Sequence, residues 1–192
     1  VKRLKLANFD LKLLNNTHIK GTLNLPDYRN PKAAFFQERI DYVYVDMHEL
    51  KSIKLPNSFK TNHFDIDPLV SRLKYVNATG VQLDGFHSQF VIAAEKVQTQ
   101  LGNVRIDNGI MFTQNNEKDS YLFQRSGATE YDVKIENFDL GKLLDNTTMG
   151  LVDGIFFLSG EASSISEIAF TSLEGNLNRF DYRNYPYSQI KI

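Results

Sequence analysis

The sequence predicts an all-β protein with many strands and almost no helix. Three observations carry this. Apolar and polar residues alternate with period two along most of the 192-residue chain. Gly, Asn-Gly and Pro-Asp steps separate the alternating runs. Helical patterns are few and short, so no helix layer is at hand to cover a sheet.

In chain order, Leu4 and Leu6 alternate with lysines, while Phe9, Leu11 and Leu13 continue on the opposite parity, which places a bulge near Ala7-Asn8. Ile19, Gly21, Leu23 and Leu25 form the next strand, ended by Pro26-Asp27. "RIDYVYVD", 39–46, holds the aromatic and β-branched residues that suit a pleated surface. Further strands are expected at 59–66, 73–83, 86–92, 97–101, 104–112, 121–125, 129–135, 154–160, 168–177 and 185–192. Residues 46–53 are expected to be helical, with Asp46 as N-cap and Glu49 three residues on, the spacing of a capping box. Residues 68–73 and 141–144 are each expected to make one or two turns.

One unit occurs twice. "NFDLKLLNNTHIKGTLNL" (8–25) and "NFDLGKLLDNTTMGLVDGIFFL" (137–158) share Asn-Phe-Asp-Leu, a Leu-Leu step, an Asn-Thr turn and a glycine followed by alternating apolar residues. "DYRNP" follows the first unit and "DYRNYP" lies downstream of the second. A repeated strand-corner-strand unit points to an elongated array. Both ends lie inside an alternation, so 1–192 is expected to be one continuous segment of a longer chain.

One face of each run is apolar and the other polar, so the sheet needs a partner layer. A sandwich, a barrel, or a sheet folded along its length around an apolar trough all meet that need.

Composition excludes several functions. With 22 Lys and Arg against 23 Asp and Glu, the net charge of −1 gives no electrostatic reason to expect nucleic acid or an anionic membrane surface as partner. The absence of cysteine excludes disulfides and thiolate metal sites. None of the four histidines stands in a ligand motif; His63, Asp65 and Asp67 share a strand face, where neighbours about 6.6 Å apart diverge rather than converge on a metal. No nucleophile elbow or phosphate loop is present, so no catalytic residue and no cofactor is expected. Three Asn-x-Thr sequons, at Asn15, Asn77 and Asn146, match ordinary turn vocabulary. Tyr42, Tyr44, Tyr182, Tyr185 and Tyr187 are candidates for a sugar-stacking platform or for strand-end packing.

Order along the chain adds a resemblance. "GTLNLPDYRNPKAAFFQERID", then "TGVQLDGF", "VQTQLGNVRID", "YDVKIENFDLGKLL", "GLVDGIFFLSGEA" and "SLEGNLNRFDYRNYPYSQIKI" are together similar to TamB-like proteins of the AsmA superfamily, especially those of Bacteroidetes-type bacteria. The resemblance covers most of the chain, and its strength is the order of degenerate motifs. It implies a periplasmic segment whose parent is anchored in the inner membrane by a helix elsewhere. The implied fold is an elongated, curled antiparallel or mixed sheet, an open apolar trough or β-taco. The implied function is transport of phospholipid between the two membranes. The implied partners are phospholipid acyl chains and, through other parts of the parent, a TamA-like outer-membrane barrel. A chaperone role toward outer-membrane β-barrel proteins or autotransporters, and a β-sandwich glycan-binding module, are the competing readings.

The physical case for a trough is direct. A 16-carbon acyl chain in water is disfavoured by roughly 13 kcal/mol at about 0.8 kcal/mol per methylene. A uniform apolar furrow removes most of that barrier, and a repeated strand unit supplies uniformity. About 14 strands would extend such a sheet by roughly 65 Å. By alternation the lining is expected to be Leu4, Leu6, Phe9, Leu11, Ile19, Leu23, Phe86, Phe90, Ile92, Val97, Leu101, Val133, Ile135, Phe156, Leu158 and Leu177.

Overall fold

A computed structural model describes residues 4–13, 15–25, 30, 34–52, 72–118, 120–126, 131–163 and 167–192. Its elements are β1 (Leu4–Leu13), β2 (Thr17–Leu25), β3 (Phe36–Asp46), α1 (Met47–Ser52), β4 (Tyr75–Phe86), β5 (Gln89–Thr99), β6 (Gly102–Asn115), β7 (Ser120–Arg125), β8 (Val133–Asp139), α2 (Leu140–Leu144), β9 (Met149–Ala162), β10 (Ile168–Tyr182), β11 (Tyr185–Tyr187) and β12 (Ile190–Lys191). The strand expected at 59–66, most of the turn at 68–73 and the His63, Asp65 and Asp67 group lie outside the described residues.

All twelve strands belong to one sheet, and each pairing is antiparallel. The all-β expectation holds, and a two-sheet sandwich is not what the described strands form. The chain runs as a meander from β1 to β6. β7 and β8 then lie end to end between the same two neighbours: β7 pairs with one half of β6 (Ile110–Asn115) and β8 with the other (Asn103–Ile106), and both pair with β9. β7 and β8 thus fill one row between β6 and β9, so the circuit β6–β7–β9–β8 lies within the sheet and does not close it. Because β7 shares a row with β8, and β11 with β12, the strands occupy ten rows. The sheet extends about 43 Å at ~4.8 Å per strand, shorter than the expected 65 Å.

Bulges keep one face in phase across these rows. Between Leu6 and Phe9 the β1 register shifts by one residue, with Asn8 at φ 54°. Between Ile135 and Phe138 the β8 register shifts likewise, with Asn137 at φ 48°. The duplicated Asn-Phe-Asp-Leu is thus the same device twice: an asparagine, which tolerates the left-handed region, turns the following phenylalanine back onto the leucine or isoleucine face.

The units diverge just after it. In the first, Leu11 and Leu13 continue β1 to a corner at Asn15-Asn16. In the second, one extra residue, Gly141, lets Leu140–Leu144 wind into α2 against β9; a Cβ at Gly141 would lie 2.1 Å from the Met149 carbonyl oxygen. Asp139 caps α2 by accepting the Lys142 N–H at 2.9 Å.

The first corner is closed from a distance. Asp46 caps α1 as expected, its Oδ1 accepting the N–H groups of His48 and Glu49. The Glu49 carboxylate does not complete a capping box. It accepts the backbone N–H groups of Asn15, Asn16 and Thr17, at 2.9 to 3.1 Å, and the Thr17 hydroxyl at 3.1 Å. With Glu49 only 9% exposed, Glu49→Ala leaves these donors without their acceptor. The expected loss is about 2–3 kcal/mol in urea unfolding, with faster amide exchange at 15–17.

Candidate functional site

In an antiparallel sheet, residues opposite one another share a face. Two rows of such partners cross the sheet with no polar member. One is Phe9, Gly21, Ile40, Val81, Ala94, Ile106, Val133, Phe156 and Gly175; the other is Leu11, Ile19, Val43, Ala78, Val97, Val104, Ile135, Gly154 and Leu177. A third row, Leu6, Leu23, Glu38, Leu83, Ile92, Ile110 and Arg125, is apolar except for Glu38 and Arg125.

Register places every residue of the expected lining on this face, except two. Phe86 is on the opposite face: His87 and Ser88 make a tight turn, so Phe86 pairs with Gln89 and its ring packs edge-on against Phe35. The expected strand 86–92 overlooked that turn, and Gly85, not Phe86, is the partner of Phe90. Leu101 is not on a strand at all. It is buried in the turn between β5 and β6, where its N–H donates to the Thr99 hydroxyl and its carbonyl accepts the Asp139 N–H.

Sequence reasoning missed a fourth row. Phe36, Gly85, Phe90, Phe112, Phe123, Gly160 and Phe170 are successive partners. Glycines stand where a ring would otherwise be crowded: a Cβ at Gly160 would lie 2.7 Å from the Phe123 ring, and one at Gly85 2.9 Å from the Phe90 Cβ. Rings therefore meet across these gaps, Phe36 with Phe90 at 6.2 Å and Phe123 with Phe170 at 5.9 Å between centroids. Phe90 stacks on Phe112 at 5.3 Å.

Burial shows how this face is used. Ala78, Ala94, Ile110, Phe123, Val133, Val152 and Phe156, all on it, are buried. No second layer lies over them among the described residues, so their same-face neighbours exclude the water, which requires the face to be concave. Towards the ends of the sheet the same face is exposed, with Leu11 at 47% and Phe170 at 53%. Near one end it forms a groove of about 480 Å³ between α2 and β10, lined by apolar residues only, among them Phe138, Leu143, Leu158 and Leu173.

The other face carries most of the charged residues of the strands, beside scattered apolar ones such as Val91, Leu122 and Phe157, and is laced with ion pairs. His18 Nε2 lies 2.6 Å from Asp10, Lys134 2.5 Å from Glu136, Lys118 3.0 Å from Glu161 and Arg179 2.7 Å from Asp181. A hydrogen bond from its partner holds each carboxyl below its ordinary value: His18 for Asp10, Lys134 for Glu136, Ser120 and then Lys118 for Glu161, Arg179 for Asp181. Glu38, on the apolar face, is shifted the other way, raised by desolvation. The signs predict opposite pH effects. The depressed carboxyls stabilise the fold above pH ~4 and lose that contribution as the pH falls through their folded values. Ionised Glu38 destabilises the fold at neutral pH and is relieved as the pH falls through its raised value. Glu38→Gln is therefore expected to raise the urea midpoint at pH 7 and to leave it unchanged at pH 3.

The tyrosines do not form one platform. Tyr42 and Tyr44 lie on β3, where Tyr44 stacks on Tyr75 at 5.8 Å, whereas Tyr182, Tyr185 and Tyr187 surround the β10–β11 hairpin at the far end of the sheet. Among the described residues no group of three His, Asp or Glu side chains could hold a metal, and no helix is long and apolar enough to cross a membrane. No family model, no curated protein and no solved structure matches the chain.

Proposed function

We propose that the concave face shields hydrocarbon, the chain being a periplasmic segment of a TamB-like protein that carries phospholipid acyl chains between the inner and outer membranes, with its parent anchored in the inner membrane. The supporting observation is the pair of apolar rows that traverse the sheet uncovered by any other described element. A packed core has no reason to leave Leu11, Phe170 and Leu173 exposed on the same face as buried Val133 and Phe156. Removing a 16-carbon chain from water supplies roughly 13 kcal/mol, and rows of similar side chains offer successive sites of similar energy.

Photocrosslinkers at Leu11, Ile135 and Leu173 on the apolar face, and at Lys12, Lys134 and Glu174 on the polar face, test this in cells. Lipid adducts from the first set alone are the expected result. Equal labelling from both sets, or none from the apolar set together with lipid-free protein in native mass spectrometry, removes the reading. One observation favours the strand-acceptor alternative: β1 has no partner on its outer edge among the described residues. Crosslinks from β1 to incoming outer-membrane barrel strands, without acyl adducts, would select it; the docking of a TamA-like barrel falls to other parts of the parent.

A further inference from the structure

Glu38 is out of character with its surroundings. Its direct partners are Leu23 on β2 and Leu83 on β4, and its same-face neighbours on β3 are Phe36 and Ile40. Of the charged residues of these strands, Lys20, Arg39 and Asp84 stand on the opposite face. Arg125, the other charged residue whose register meets these rows, lies instead over the Phe157 ring. No hydrogen bond or ion pair holds Glu38 among the described residues; desolvation alone acts on it. A half-buried carboxylate without a counterion is unfavourable, and a hydrophobic residue would serve the packing better.

We infer that Glu38 is a cation-binding subsite within the apolar face, taking the ammonium group of an amine-bearing amphiphile whose hydrocarbon lies along the adjoining rows. The inference rests on the proposal that the face holds hydrocarbon, and names which headgroup it accepts. Position favours it. Glu38 is two residues, about 6.6 Å, in from Phe36 at the strand's end, so a headgroup there reaches the rim while its chain crosses strands. An arriving ammonium neutralises the uncompensated charge and forms a charge-assisted hydrogen bond where little water competes. An anionic headgroup meets like charge instead.

Calorimetry at pH 7 with dodecylammonium, dodecanoate and ethylammonium, the amphiphiles below their micellar concentrations, tests the subsite in wild type and Glu38→Gln. Wild type is expected to bind dodecylammonium more tightly than dodecanoate. Glu38→Gln is expected to weaken dodecylammonium about tenfold or more and to strengthen dodecanoate. A ratio between the two amphiphiles that Glu38→Gln leaves unchanged overturns the subsite and leaves the hydrocarbon reading standing. Ethylammonium binding as tightly as dodecylammonium overturns it in favour of a plain cation site. Binding of neither amphiphile to wild type overturns both readings.

Discussion

Phe123→Ala is expected to lower the free energy of unfolding by about 3–5 kcal/mol, the range for deleting a buried aromatic side chain. Phe123 is 6% exposed and packs with Ile110 and Val133 in the densest part of the sheet. Its ring meets Phe112 at 6.1 Å and Phe170 at 5.9 Å, and Gly160 offers no side chain to fill the space left behind. Phe170→Ala, in the same row, removes the same atoms from a site that is 53% exposed. Its expected effect is below about 1 kcal/mol. Urea unfolding of the two variants, at unchanged m, reads the difference. Equal losses would mean that something covers Phe170 as completely as Phe123, and the concave face would then be an ordinary core.

That gradient along one row was not legible in the sequence, although much of its chemistry was. Period-two alternation was enough to assign the class and to sort Leu6, Phe9, Ile19, Val133 and Phe156 onto one face, because a buried face leaves its mark on every second residue. The change of parity at Ala7-Asn8 was also visible, since a bulge must shift the apolar residues by one. What failed was punctuation. The turn at His87-Ser88 contains no glycine or proline, and the glycine next to it, Gly85, belongs to the strand, where it makes room for Phe90. A reader who takes Gly85 as the break puts Phe86 on the wrong face. Leu101 failed for the same reason, one residue before Gly102.

Cross-strand order is a second limit. Phe36, Phe90, Phe112, Phe123 and Phe170 share a row only once register is fixed, and register depends on bulges at Asp41, Gly80 and Glu95-Lys96 that compensate one another across three strands. No local pattern announces such compensation. Nor does one announce that Glu49, placed as half of a capping box, spends its carboxylate on a corner more than thirty residues away. The repeat was legible as words and opaque as structure: Asn8 and Asn137 turn the backbone alike, but Gly141 sends the second copy into a helical turn where the first stays extended.

Leu173→Asp is expected to empty the apolar face while leaving the fold intact, and this separates a conduit from a core. Leu173 faces Leu158 across the β9–β10 pair and borders the apolar groove beside α2, but is already 43% exposed. Water can therefore reach a carboxylate at that position in the ligand-free protein, and the expected stability change is within about 1 kcal/mol. A bound acyl chain removes that water, so the same carboxylate opposes the chain strongly. Lipid retained per protein, by native mass spectrometry after gentle purification, is expected to fall about tenfold or more. Leu11→Asp, 47% exposed at the other end of the sheet, is expected to act in the same way if the rows form one continuous path. Glu174→Lys, next to Leu173 but on the polar face, is expected to leave lipid unchanged. A full lipid load in both aspartate variants would place the hydrocarbon somewhere other than on these rows. A loss at Leu173 alone would reduce the conduit to a single pocket between α2 and β10.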